Sequence, residues 1–422
     1  MKIVVQGLWH LGCVTAACCA RHFEVAGLEF DVGTIDNLNT GKAPISEPGL
    51  NELITAGLAS KKLTFTSDAK VACTAVDVLW ITYDTPVNEA DESDLEAVLV
   101  PVRQVLPYLS SGAIVLISAQ LPVGTCRSLE KDYPHLHFAS SPENLRLGKA
   151  LDAFEKAERA IVGIRNDAPR EKLALLFAPF TSQVIFMRTE SAEMVKHGIN
   201  SFLALSITFI NEIARLCEHT GADAKEVAQG LKSEPRIGPR AYLGPGGPFA
   251  GGTLARDVVT LSKLGAANGE TLSIIPAIKQ SNDLHRGWAL RRLQTKLGDL
   301  KGLTIAVLGL VYTPGTDTLR RSVAVELCKA LLAAGARVQA FDPAIRSLAS
   351  ELSSVVLVNS VKDAVKGSDA AIVCTEWPEF RTIDWAAATS AMRRHVIVDA
   401  NRFLEKQLSP LTNVEMLSVG RS

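Results

Sequence analysis

The sequence predicts an α/β protein, with two sheet-forming halves joined by a long central helix and a small helical domain. Three observations predict it. Short β-branched runs alternate with helical patterns over residues 1–185, helical periodicity runs unbroken over 191–220, and a second alternation of strands and helices begins at Thr304. Such alternation builds a parallel sheet, because parallel neighbours need a connection long enough to cross back over the sheet. At 422 residues the chain exceeds what a single core supports. The expected domains are 1–188, 189–297 and 298–422.

In the first half the candidate strands are residues 3–5, 24–28, 78–81, 113–117, 137–139 and 160–162. The central helix carries Met194, Phe202, Leu203, Ile207, Phe209, Ile210, Ile213 and Leu216 at helical spacing, with Gly221 placed as its C-terminal cap. Its length, about 45 Å at 1.5 Å per residue, suits a link between domains and a dimer face. The stretch 236-RIGPRAYLGPGGPFAGGTLARD-257 is too rich in glycine and proline for helix or strand throughout and is expected to be an ordered loop. The second half has candidate strands at 304–308, 338–341, 371–374 and 396–398.

Composition narrows the function classes. A net charge of -1 implies no polyanion partner, so no nucleic-acid partner is expected. No apolar run approaches the roughly 20 residues of a membrane helix, and the start MKIVVQGLWHLG reads as a strand rather than a signal peptide. The eight cysteines lack metal-ligand spacing, so neither a metal site nor disulfides are expected, and buried thiols in a reducing cytoplasm are.

Directly after the first strand comes 7-GLWHLG-12, then a small-residue helix start. In the dinucleotide fingerprint GxGxxG the first glycine makes the turn, the second admits the pyrophosphate and the third lets helix and strand pack closely. Gly7 and Gly12 match, whereas Trp9 replaces the second glycine, and His10 and Leu11 complete the turn. Glu29 follows the second strand 22 residues after Gly7, where a carboxylate accepts from ribose hydroxyls and repels a 2'-phosphate. The expected cofactor is therefore NAD, held in a Rossmann-like domain.

Several ordered segments carry a resemblance over essentially the whole chain. They include 38-LNTGKAPISEPGL-50, Thr85 with Pro86, 121-LPVGT-125, 141-SPENLRLGKALD-152, 192-AEMVKHGINSFLA-204, 209-FINEIARLCEHTGAD-223, the glycine-rich loop, 306-AVLGLVYTPGTDTLR-320, 375-TEWPEF-380 and 399-DANRF-403. Together they resemble the UDP-glucose/GDP-mannose dehydrogenase family. The resemblance implies two Rossmann-like domains, a homodimer, NAD, and a nucleotide-linked sugar oxidised at a CH-OH group.

What that resemblance implies for individual residues is mixed. Lys196 and Asn200, four apart on one helix face, match the family's oxyanion-stabilising pair, and Asp257 matches its aspartate that orients water or moves a proton. Thr85, Pro86 and Gln120 fall on the cofactor side. Glu143, Leu145, Arg146, Arg236, Tyr242, Gly251, Gly252 and Arg320 fall on the substrate side. The family loop FGGSCFPKD aligns with 249-FAGGTLARD-257, which puts Thr253 at the nucleophilic cysteine. Leu147 stands where a glutamate serves thioester hydrolysis, and Gln120 replaces a threonine. These departures predict a single two-electron oxidation. A redox-neutral epimerase using bound NAD, or an inactive nucleotide-sugar-binding homologue, are the other readings. Thr253 equally suits a turn-capping role.

Overall fold

The structure is a computed structural model that describes all residues from Met1 to Ser422 except Glu89, Asn144, Arg146 and Gly251. Two compact units divide it, Met1–Ile199 and Asn200–Ser422.

The first unit is built on eight strands: β1 Lys2–Gln6, β2 Glu24–Leu28, β3 Leu63–Thr66, β4 Val78–Ile81, β5 Ile114–Ile117, β6 His137–Ser140, β7 Ala160–Ile164 and β8 Val184–Arg188. Their order is β3-β2-β1-β4-β5-β6-β7-β8. Strands β4 and β5, VLWI and IVLI, are buried at every residue, as expected for a sheet covered on both faces. Along β1 the side chains alternate between layers: Ile3 and Val5 join one apolar cluster, Val4 the other.

The expectation of a wholly parallel sheet needs one correction. Strands β6 and β7 are antiparallel, paired through Ala139 with Ile164 and Ser140 with Gly163. Strand composition does not encode direction, which follows from where the preceding segment leaves the sheet. Because the last residues of β6 meet the last residues of β7, the reversed pair β7 and β8 overlaps the carboxyl end of β6. The long helix, Thr189–Thr220, follows Arg188 without a linker. Gly163 lets it approach, since a Cβ there would lie 2.6 Å from the Ala192 side chain.

In the second unit the remainder of the long helix shares apolar clusters with helices Ala224–Ser233, Thr253–Ala267, Ile274–Arg286 and Trp288–Leu297. It buries Ala204, Ile210 and Ala214 but leaves Phe202, Phe209 and Leu216 at 67%, 45% and 62% exposure, an apolar stripe at seven-residue spacing. The described part of the glycine-rich segment is irregular only up to Gly252. Thr253 to Asp257, expected as loop, open the Thr253–Ala267 helix, because TLARD contains no glycine or proline and Gly252 absorbs the turn at φ +98°.

Buried polar side chains hold the irregular part in place. Asn211 Oδ1 accepts from Gly246 N–H at 3.0 Å, and Asn282 both accepts from Phe249 N–H at 3.0 Å and donates to its carbonyl at 2.9 Å. His285 adds a bond to the Gly246 carbonyl at 2.8 Å. Each such bond contributes about 1 kcal/mol net and, more importantly, spares a buried amide from being orphaned.

A second sheet closes this unit: β9 Thr304–Leu308, β10 Arg337–Phe341, β11 Val355–Leu357, β12 Ala370–Val373, β13 Val396–Asp399 and β14 Glu415–Leu417. All its pairings are parallel, in the order β11-β10-β9-β12-β13-β14. Among the described residues no helix is long and apolar enough to cross a membrane, and no cluster of His, Cys, Asp and Glu could hold a metal ion.

Candidate active site

In the first unit β1 ends at Gln6 and the chain turns at Gly7, φ +96°, whose N–H donates to the Leu28 carbonyl at 3.2 Å. A Cβ on Gly7 would lie 2.8 Å from Tyr83, and one on Gly12 would lie 2.0 Å from the Gly7 carbonyl oxygen. Both positions therefore require glycine. Trp9 does not break the turn, because its φ of -94° and ψ of -150° are open to any residue. Its indole stands out at 48% exposure.

The helix that follows, His10–Cys19, has no side-chain cap and no acid in its first turn. Its first-turn N–H groups, which have no intrahelical partners, are thus aimed at an incoming anion with the helix dipole behind them. Glu29, directly after β2, accepts from Leu8 N–H at 3.1 Å and Phe30 N–H at 2.9 Å, so its carboxylate stands beside the turn. Thr85 is buried and its hydroxyl donates to the Gln120 carbonyl at 2.8 Å, while the Pro86 carbonyl accepts from Asp94 N–H at 2.8 Å. His10 faces the buried Glu47 at 2.9 Å.

Beyond β6, the Glu143 carboxylate accepts from the N–H of Leu145, and its backbone carbonyl accepts from the Lys196 ammonium. Arg146 and Gly251, both expected on the substrate side, lie outside the described residues. Two neighbours of Lys196 on the long helix secure it to the segment after β5. The Glu193 carboxylate accepts from Gly124 N–H at 2.6 Å and Cys126 N–H at 3.0 Å, and His197 Nε2 lies 3.1 Å from the Leu121 carbonyl. Sequence reasoning missed Glu193; its one signal was a carboxylate three residues ahead of Lys196 on an otherwise apolar turn.

In the second unit Asn200 Nδ2 donates to Asp257 Oδ2 at 2.5 Å, with both side chains buried. Thr253 is the exposed first residue of its helix, and the cap position belongs to Gly252. A turn-capping role for Thr253 is therefore not what the geometry gives. Arg236 is on the surface, 88% exposed and paired with Glu234 at 2.8 Å, and Arg320 is also exposed. Tyr242 is half exposed. A cavity of about 330 Å³ opens at the carboxyl ends of β9, β12 and β13, lined in part by Gly247, His285, Tyr312, Thr375 and Asn401. That is the switch point where open α/β sheets take ligands.

Three sequence models of one family match the chain in order. The NAD binding domain of the UDP-glucose/GDP-mannose dehydrogenase family matches residues 1–181, its central domain 190–284 and its UDP binding domain 306–406. The chain belongs to this family. A UDP-glucose 6-dehydrogenase of Rhizobium meliloti is 32% identical over 437 residues, covering 100% of both chains. The UDP-glucose 6-dehydrogenase TuaD of Bacillus subtilis is 31% identical, covering 100% of this chain and 93% of the relative. Among solved structures, a UDP-glucose dehydrogenase from Pyrobaculum islandicum superposes with a TM-score of 0.89 at 28% identity, covering 100% of this chain and 98% of the other. Residues 1–181 are accordingly an NAD-binding domain, and the glycine turn with its uncapped helix and Glu29 fits that cofactor.

Proposed function

We propose that this family member oxidises a CH-OH group of a nucleotide-linked sugar by one two-electron step and releases a carbonyl product. NAD supplies the hydride acceptor. The carbinol gives up its C–H hydride and its O–H proton, so one NADH and one proton form per C=O made. Lys196 stabilises negative charge on the carbinol oxygen, Asn200 orients it, and Asp257, hydrogen-bonded to Asn200, takes up and passes on the proton. The nucleotide end suits the cavity that includes Tyr312 and Asn401.

The observation that carries the single step is chemical. A second oxidation by covalent capture needs a nucleophile, and no cysteine occurs between Cys217 and Cys328. Thr253, the residue in register with the family's cysteine, bears a hydroxyl, which is a weak nucleophile without an adjacent base. Counting NADH per sugar at the endpoint, with product mass, tests the reading: one NADH and a carbonyl product are expected, and two NADH with an acid would defeat it. Turnover without net NADH would instead favour the redox-neutral reading.

We also propose a homodimer through the long helix, on the strength of the exposed Phe202, Phe209 and Leu216 stripe. Sedimentation of Phe209→Asp is expected to shift toward monomer; an unchanged profile would place the interface elsewhere.

A further inference from the structure

Glu47 connects two parts of the first unit that the reaction needs at the same time. Its side chain is 1% exposed, and burying a carboxylate costs several kcal/mol unless donors surround it. The donors come from two directions. Gly148 N–H at 2.7 Å and Ala150 N–H at 2.9 Å lie just beyond Glu143 and Leu145, and His10 Nε2 at 2.9 Å belongs to the first residue of the dinucleotide helix. Backbone capping of the short Ala150–Glu155 helix would account for the first pair alone. It does not account for His10, whose imidazole reaches the same oxygen, Oε2, that Gly148 uses.

His10 also sits where an anion on the helix N-terminus would fix the backbone. We propose that His10 is a positioning residue: dinucleotide bound at the glycine turn restrains His10, His10 holds Glu47, and Glu47 tightens the 148–150 segment that follows Glu143 and Leu145. Cofactor binding thereby prepares the substrate side. The proposal rests on the dinucleotide reading above and adds to it a path between the two sides of the site.

Hydrogen exchange of the full-length protein, with and without saturating NADH, tests this without relying on turnover. In the wild type, NADH is expected to slow exchange of the 148–152 amides by about threefold or more. Compared with wild type at saturating NADH, His10→Phe, which keeps a ring but loses the donor, should lose that slowing. His10→Gln, whose amide restores a donor, should regain most of it. Glu47→Gln, which keeps the shape and one acceptor oxygen, gives a second break in the same path and should also lose the response.

Slowing that persists in both His10→Phe and Glu47→Gln overturns the path, as does a wild type that binds NADH without any change at 148–152. A His10→Phe variant that folds but no longer binds NADH would make His10 part of the binding site and equally overturn it. A wild type that binds no NADH would bring down the dinucleotide reading itself, and this proposal with it.

Discussion

The two sheets repeat one plan, yet only the first ends in an open turn. In both, the chain leaves the central strand at a glycine with positive φ, Gly7 at +96° and Gly309 at +86°, whose N–H bonds the end of the neighbouring strand. In both, an acid follows that neighbour, Glu29 after β2 and Asp342 after β10. The difference lies in what the acid and the helix do next. Glu29 is half-buried beside a helix start that has neither cap nor acid. Asp342 is 1% exposed and accepts from Leu310 N–H at 2.6 Å, Val311 N–H at 3.1 Å, Ala344 N–H at 2.8 Å and the Trp377 indole N–H at 3.2 Å. The helix behind it, Val323–Ala333, is capped by Ser322 and carries Glu326 in its first turn. One topology thus yields a ligand cradle where donors stay open and a structural plug where they are consumed.

The sharpest way to break this contrast is to exchange the acids' roles. Asp342→Ala leaves four donors, three of them buried, without their acceptor and should lower unfolding stability by about 3–5 kcal/mol, read by denaturant titration, with NADH affinity unchanged. A variant as stable as wild type would show that Asp342 is no plug.

Next in size is a pH effect near the second crevice. Burial pushes the His285 imidazole down from 6.5 to about 4, with Arg215 and Arg291 adding to the effect and the Gly246 carbonyl opposing it. A folded pKa below the unfolded one means that the stability it contributes is complete above pH 6.5 and is lost on acidification toward pH 4. The loss should reach roughly 3 kcal/mol, and His285→Gln should flatten the profile across that window. A wild-type stability that stays level from pH 6.5 to 4 would contradict this.

Glu29→Ala should do the opposite of the Asp342 change. NADH affinity should weaken by about tenfold, measured by fluorescence titration, while the melting temperature scarcely moves. Equal losses of stability in the two variants would erase the distinction between cradle and plug.

The smallest effect expected is chemical silence in both turns. Burial pushes the Cys13 thiol up to about 12, with Glu29 adding to it, and pushes Cys374 well above its ordinary range. Alkylation of the buried Cys13 thiol in the native state near pH 8 should be negligible by mass spectrometry; rapid labelling would show a thiolate that the fold does not favour.

Much of this was legible in the residues. The buried strands announced themselves because continuous apolar runs such as VLWI leave little choice of environment. Gly7, Gly12 and Glu29 were legible because a turn against a helix imposes a fixed spacing. Strands β3, β8, β11 and β14 escaped notice: β3 and β11 are short and half-exposed, β8 is half-exposed and β14 is three residues long, so neither burial nor periodicity marks them strongly. The reversal at β7 was equally invisible. Glu47 and Glu193 act on backbone amides far away in the chain, and no local pattern records such a partnership. Arg236 and Arg320 are legible only through family register, and both are exposed.

The junction between β8 and the long helix has a further consequence. With no residue to spare between Arg188 and Thr189, the azimuth of that helix is inherited from the sheet edge. Deleting one residue there would rotate the start of the helix by about 100° and carry Lys196 away from the Glu143 carbonyl. Length variation among descendants of this chain should therefore be tolerated in loops and scarce at this seam.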